Sequence, residues 1–259
     1  DPRRKLLRLT SSMAEVALDG AFDLDLLAEM AESRFAGLVR AVGGYVAPDD
    51  TTAPPEAAVR GASRHAAAGQ TMNFSYHVKI NNLLPVGEFF STTPFNVHGN
   101  VAGNFSSDPQ WLSVGMKGTL EEFYIGTIDD GWLMKDAVVD IRIGNLGESS
   151  VLENLTADLD IDIGNGIVAG KSLDNAGLEL HYANARGIIT ASGRVDSILT
   201  VVLSGQASIQ TRTFVFDLDT LRAKAGDYGW SNDQDVQFRL SDEGLRIMRA
   251  VFRRGDEEL

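Results

Sequence analysis

The stretch LTADLDIDIGNG, residues 155–166, sets Asp158, Asp160 and Asp162 at every second position and runs into a glycine-rich tail. Three chemistries compete for it: a calcium loop, a carboxylate active site, or one face of a β-strand. An EF-hand loop needs Gly at its sixth position and Glu at its twelfth. Counted from Asp158, those positions hold Ile163 and Ala169. Between the aspartates stand Leu159, Ile161 and Ile163, preceded by Ala157 and Leu155, and that alternation has the period of a strand. The stretch is therefore read as a strand with a solvated aspartate face and an apolar face behind it. A surface ion site is the alternative.

The same alternation recurs from Met72 to Leu240. Phe74, Tyr76, Val78 and Ile80 form one apolar set, and Phe95, Val97, Val101 and Phe105 a second. A third is Leu112, Val114, Met116, Leu120 and Tyr124, and a fourth Leu133, Ala137, Val139, Ile141 and Ile143. Segments rich in Gly, Asn and Asp, among them NAG, ANARG, SGR, LSGQ and AGDYGWSND, are read as the hairpin turns between strands. Nine or so strands with one apolar side imply an antiparallel meander.

The two ends read differently. Leu6, Leu9, Met13, Val16 and Ala17 recur at helical spacing, and Asp23 is placed to cap a second helix through Leu24, Leu27, Ala31, Leu38 and Val42. A proline-rich loop with Pro48, Pro54 and Pro55 follows. At the far end Ser241 is placed to cap a helix carrying Leu245, Met248 and Phe252 on one face. The expected fold is α+β and mainly β: one domain over 1–259, with a helical region and loop at 1–70, the meander at 71–240 and a helix at 241–259. A long, strongly curved sheet would wrap around amphipathic terminal helices.

Composition narrows the function. The chain has 259 residues, 44% of them hydrophobic, a net charge of -13 and no cysteine. The charge repels phosphate backbones and anionic headgroups, so neither nucleic acid nor a stable membrane association is expected. No apolar run nears the roughly 20 residues of a membrane helix. The sequons at Asn73, Asn104 and Asn154 each precede an apolar-face residue, which turns the three Asn outward, and with the start at Asp1-Pro2 they suggest a secreted glycoprotein.

No nucleophile elbow, zinc helix or P-loop is present, and no catalytic residue, metal site or required cofactor is assigned. The string Gly164-Asn165-Gly166 is read as a hairpin rather than a phosphate cradle. His77, His98 and His181 fall on predicted polar faces and read, like His65, as surface histidines. Aromatic residues lie near turns: Phe89, Phe90, Trp111, Trp132 and Trp230. Core packing accounts for any one of them, but together they suit the lining of an apolar pocket.

The stripe Leu6, Leu9, Met13, Val16, the strands from Phe74 to Leu240 and the terminal Leu245, Met248, Phe252 together resemble the tubular lipid-binding superfamily: the juvenile-hormone-binding and takeout proteins and the related cysteine-free mite allergens. The resemblance is one of arrangement, and the second helix and proline-rich loop depart from it. It implies an elongated cavity between sheet and helix for a lipid, isoprenoid or carotenoid. On that reading the ligand is lined by Met13, Val16, Leu112, Val114, Met116, Leu120, Tyr124, Val139, Ile141 and Phe252, with Phe89 and Phe90 at the rim. The alternative is a structural or interaction module with a solid core, capable of self-association. An enzyme using outward carboxylates ranks third.

Overall fold

The computed structural model describes residues 4–27, 30, 71–84, 95–108, 111–126, 131–146, 154–168, 170–210, 213–232, 234–241, 244–248, 251–254 and 257–258. They form a 16-stranded antiparallel sheet. In chain order the strands are β1 (Lys5–Thr10), β2 (Ala14–Ala21), β3 (Met72–Ile80), β4 (Phe95–Ser107), β5 (Leu112–Ile125), β6 (Trp132–Leu146), β7 (Thr156–Val168) and β8 (Lys171–Ala183). Then come β9 (Arg186–Val195), β10 (Leu199–Gln210), β11 (Thr213–Ala225), β12 (Tyr228–Asn232), β13 (Val236–Ser241), β14 (Gly244–Met248), β15 (Phe252–Arg254) and β16 (Glu257–Glu258). Each strand from β1 to β12 pairs with the next, so the meander predicted from Met72 onward is present and extends further in both directions. Beyond β11 the sheet forks, to β12, β15 and β16 on one branch and to β13 and β14 on the other.

Both expected terminal helices are strands. At the N-terminus Ser11 makes a turn: its hydroxyl accepts from the Met13 and Ala14 amides at 3.2 and 3.0 Å, and its amide donates to the Ala14 carbonyl at 2.9 Å. The three-and-four spacing from Leu9 to Val16 straddles that turn, and beyond it Ala14, Val16 and Leu18 alternate as a strand. At the C-terminus Ser241 faces Gly244 across a tight hairpin, with Gly244 at φ 106, a left-handed conformation that glycine adopts without strain. Ser241 was read as a cap, and it closes a hairpin.

The helix capped by Asp23 does form. Residues 24–27 and 30 are helical, and the Asp23 carboxylate accepts from the Asp25 and Leu26 amides at 3.1 and 3.2 Å. The remainder of that helix and the proline-rich loop lie outside the described residues. Phe22, Leu26, Leu27 and Met30 pack on one end of the sheet, where Leu18, Met72, Phe74, Phe105, Leu112, Leu146, Leu155, Ala157 and Tyr182 are buried. Phe74 stacks on Phe105 at 4.9 Å and meets the edge of Phe22 at 5.7 Å. This end is the core, and aromatic packing of this kind adds about 1 kcal/mol per pair to area burial.

Several predicted turns are strand interior. β7 runs through Gly164-Asn165-Gly166, β8 through Asn175-Ala176-Gly177, β9 through Ser192-Gly193-Arg194 and β10 through Ser204-Gly205-Gln206. The hairpin within ANARG is real: Asn184 and Ala185 have φ of 54 and 59, the pair of positive values that a two-residue hairpin requires.

Candidate functional site

Cross-strand partners share a face, so the register defines two. One row reads Gly103, Met116, Ile141, Leu159, Leu180, Ile189, Gly205, Leu218, Val236 from β4 to β11 and on to β13. The row behind it, one residue along, reads Lys117, Asp140, Asp160, Glu179, Thr190, Ser204, Thr220. The first face is apolar over nine strands and the second is polar. Every pair of described elements in substantial contact is a pair of hydrogen-bonded neighbours, so no second layer packs over the apolar face.

That face survives a disruption in the ladder. Gly99 pairs with Leu120 but His98 with Glu122, leaving Glu121 as a bulge. At the same level Asp136 in β6, Gly164 in β7 and Asn175 in β8 drop out of register. Asp136 and Asn175 have φ of 54 and 46, left-handed values that Asp and Asn tolerate better than most residues. Each irregularity bends its strand and shifts the alternation by one. Beyond the line the apolar row is Val97, Phe123, Met134, Gly166, Leu173, Val195.

Tyr124 is the correction this imposes. Simple alternation aligns it with Leu120, and Leu133 with Ala137, but after the bulges both lie on the opposite face, in the row Asn96, Tyr124, Leu133, Ile167. Phe123 and Met134 take their places. The signal is in the sequence: Leu120 to Phe123, Met134 to Ala137, Ile163 to Gly166 and Leu173 to Ala176 are steps of three, in four successive strands.

The other candidate lining residues divide as follows. Val16, Val114, Met116, Leu120 and Ile141 lie half-buried on the apolar face, with Val139 buried among them. Leu112 is fully buried in the core end and is structural. Phe252 lies on the same face at its far margin, paired with Asn232. Met13 belongs to the β1–β2 turn, where its carbonyl accepts from the Asn81 and Asn82 amides at 2.8 and 3.2 Å. Phe89 and Phe90 lie outside the described residues.

Glycines distinguish the two sides. A Cβ at Gly103 would lie 1.8 Å from the Gly115 carbonyl oxygen, and one at Gly118 2.1 Å from that of Asn100. At Gly115 or Gly229, on the polar side, an added Cβ would meet nothing within 4 Å. Backbones therefore crowd one another on the apolar side. Tyr76 lies over Gly103, and its hydroxyl donates to the Gly115 carbonyl at 2.9 Å; burial raises the pKa of that phenol.

On the polar face Asp160 and Asp162 are exposed and Asp158 half-exposed, hydrogen-bonded to His181 Nδ1. No group of three His, Asp or Glu able to hold a metal occurs among the described residues. Lys117 and Arg142 each meet Asp140 at 3.1 Å. They border a depression of about 480 Å³ that Asn104, Gly115 and Asp158 also line; another of about 420 Å³ lies by His181, Arg186 and Asp217. Both open on the polar side. Asn73, Asn104 and Asn154 are exposed. No described helix is long and apolar enough to cross a membrane.

The terminal helices that carried the tubular lipid-binding resemblance are strands, so what the structure contains of that arrangement is the meander. Compared with protein-family models, with curated proteins and with solved structures, the chain matches none.

Proposed function

We propose that this chain binds an elongated apolar ligand, a lipid, isoprenoid or carotenoid, along the apolar face of its sheet. The observation that carries the reading is the unbroken apolar row from Met116 to Ile189 and beyond, which no second layer of described elements covers. The crowded glycines and the aligned bulges support a sheet that curves towards this face, since glycines at inward positions and bulges are what let a sheet curl. The site is then an open trough rather than a tunnel around a helix. From β2 to β12, at roughly 4.8 Å per strand, it is about 50 Å long. Its affinity comes from burial, at about 25 cal/mol per Å² of apolar surface.

The same reading includes secretion with glycans on Asn73, Asn104 and Asn154, all three exposed. The polar positions of Asn73 and Asn104 would keep their glycans off the apolar face. Organic extraction of protein purified from its native source, followed by mass spectrometry, tests the proposal. A stoichiometric apolar molecule is the expected result, and Met116→Trp, which fills the face without adding charge, should lower its yield in folded protein. Native protein that carries none, and that fails to take up a fluorescent fatty acid after delipidation, refutes it.

A second reading, a self-associating interaction module, draws on one observation. The edge strands β1 and β14 carry Leu6, Leu245 and Ile247 at 64%, 60% and 56% exposure, without the protection that edge strands usually have. Concentration-dependent sedimentation with no bound apolar molecule would favour it.

A further inference from the structure

The two ends of the strands are unlike. At one end lies the buried cluster around Phe74, Phe105 and Tyr182. At the other, the turns carry exposed apolar side chains: Leu84 after β3 (39% exposed), Ile125 and Trp132 on either side of the β5–β6 turn (41% and 54%), Ile198 in the β9–β10 turn (70%) and Tyr228 after the β11–β12 turn (54%). The register puts all five at one end: Ile80 adjoins Ala14, Ile125 faces Trp132, and Leu199 and Ala225 pair beside Tyr228. They form a row along one long margin of the sheet, spaced over about 40 Å at roughly 4.8 Å per strand.

We infer that this margin rests on the surface of a zwitterionic lipid bilayer, with the strands end-on to it. A row of single apolar side chains at turn tips, which includes a Trp and a Tyr, matches a planar interface that is half apolar and half wet. A compact protein patch would cluster them. Beside the rim, at Tyr124, Leu133 and Ile167, apolar residues also occupy the otherwise polar face, so both sides of the β5–β7 ends are apolar. The lipid is zwitterionic because the margin's cation Lys171 is paired with Asp196 at 3.2 Å and the chain carries a net charge of -13. The choice of a bilayer over another apolar surface rests on the proposed ligand site. The rim is continuous with the apolar face through Phe123 and Met134, so a hydrocarbon chain leaving the bilayer reaches that face without crossing water.

Flotation with phosphatidylcholine vesicles tests this. Full-length protein should float, and adding phosphatidylserine should weaken the association. The double variant Trp132→Ser with Ile198→Ser should bind the vesicles about tenfold less or worse. Ile188→Ser with Val202→Ser, equally exposed changes on the polar face, should bind as the parent does. Both variants should still take up a fluorescent fatty acid offered in solution. Vesicle binding that is absent, that requires phosphatidylserine, or that the rim variant leaves unchanged overturns the inference, as does a dimer abolished by that variant in protein that ignores vesicles. Loss of fatty-acid uptake by the parent protein while vesicle binding persists would instead sink the proposed ligand function and leave the rim standing.

Discussion

Val138 and Val139 are adjacent in β6, and replacing each by Asp tests the face assignment directly. Val139 is 3% exposed, flanked on the apolar face by Gly118 and Ile161. Val138 is 49% exposed, flanked by Thr119 and Asp162 on the polar face. Val139→Asp removes a buried side chain, about 2 kcal/mol, and leaves a carboxylate with no cation beside it, at least about 2 kcal/mol more. A loss of about 4 kcal/mol is a large share of the 5–15 kcal/mol typical of a folded protein. At about 2 kcal/mol per molar of urea it moves the unfolding midpoint down by about 2 M. Val138→Asp brings a carboxylate beside Asp162 in water and should cost about 1 kcal/mol or less. Urea titration followed by tryptophan fluorescence reads both. Equal losses, or a larger loss at Val138, would show the faces reversed and remove the basis of the ligand site.

Three further outcomes follow from particular contacts. Gly103→Ala, whose new Cβ would sit 1.8 Å from a backbone oxygen, should cost about 3 kcal/mol or more, whereas Gly115→Ala, facing open space, should shift the melting temperature little. Ser107 is 6% exposed and, among the described residues, its hydroxyl has no hydrogen-bond partner, so Ser107→Ala should hold stability constant or raise it by about 1 kcal/mol; a loss above that would reveal a partner. Asp196 accepts from Lys171 and from the Ser172 amide at 3.0 Å, and these bonds hold its pKa below the ordinary 3.8. Because the folded pKa is the lower one, the stabilisation is present above the unfolded value and fades as pH falls through the folded one. Asp196→Asn should therefore lose stability at pH 7 and lose none at pH 2, and an equal loss at both would refute the linkage.

Much of the fold was legible because a half-buried strand writes its period into the chain. The aspartates of β7, the outward placement of His77, His98 and His181, the Asn184-Ala185 hairpin and the Asp23 cap all rest on local rules that tertiary context left alone. The termini were not legible by the same means. Leu6, Leu9, Met13 and Val16 sample two short strands and the Ser11 turn between them, and such a sum mimics a helical stripe. Phe252 likewise belongs to a strand three residues long, too short for any period to register.

The bulge line was visible in sequence but could be interpreted only across strands. One spacing of three, as from Leu120 to Phe123, can be dismissed as a turn or an error of alternation. Its meaning comes from the neighbours. A bulge in β5 alone would send Phe123 to the apolar side while β6, still in strict alternation, sent Leu133 there in place of Met134 and shifted the pairing between them. Each strand that adjoins a bulged one must therefore carry its own irregularity at the same level, or the apolar face breaks. β6, β7 and β8 do so, at Asp136, Gly164 and Asn175, and β9 does not need to, because β8 absorbs the extra residue between Asp174 and Gly177 opposite an unbroken Arg194 to Ser192. Maintaining that face through four coordinated departures restricts the residues allowed at each, and a sheet whose polar side alone mattered would have no need of them. The constraint points to the apolar face as the working surface of the protein.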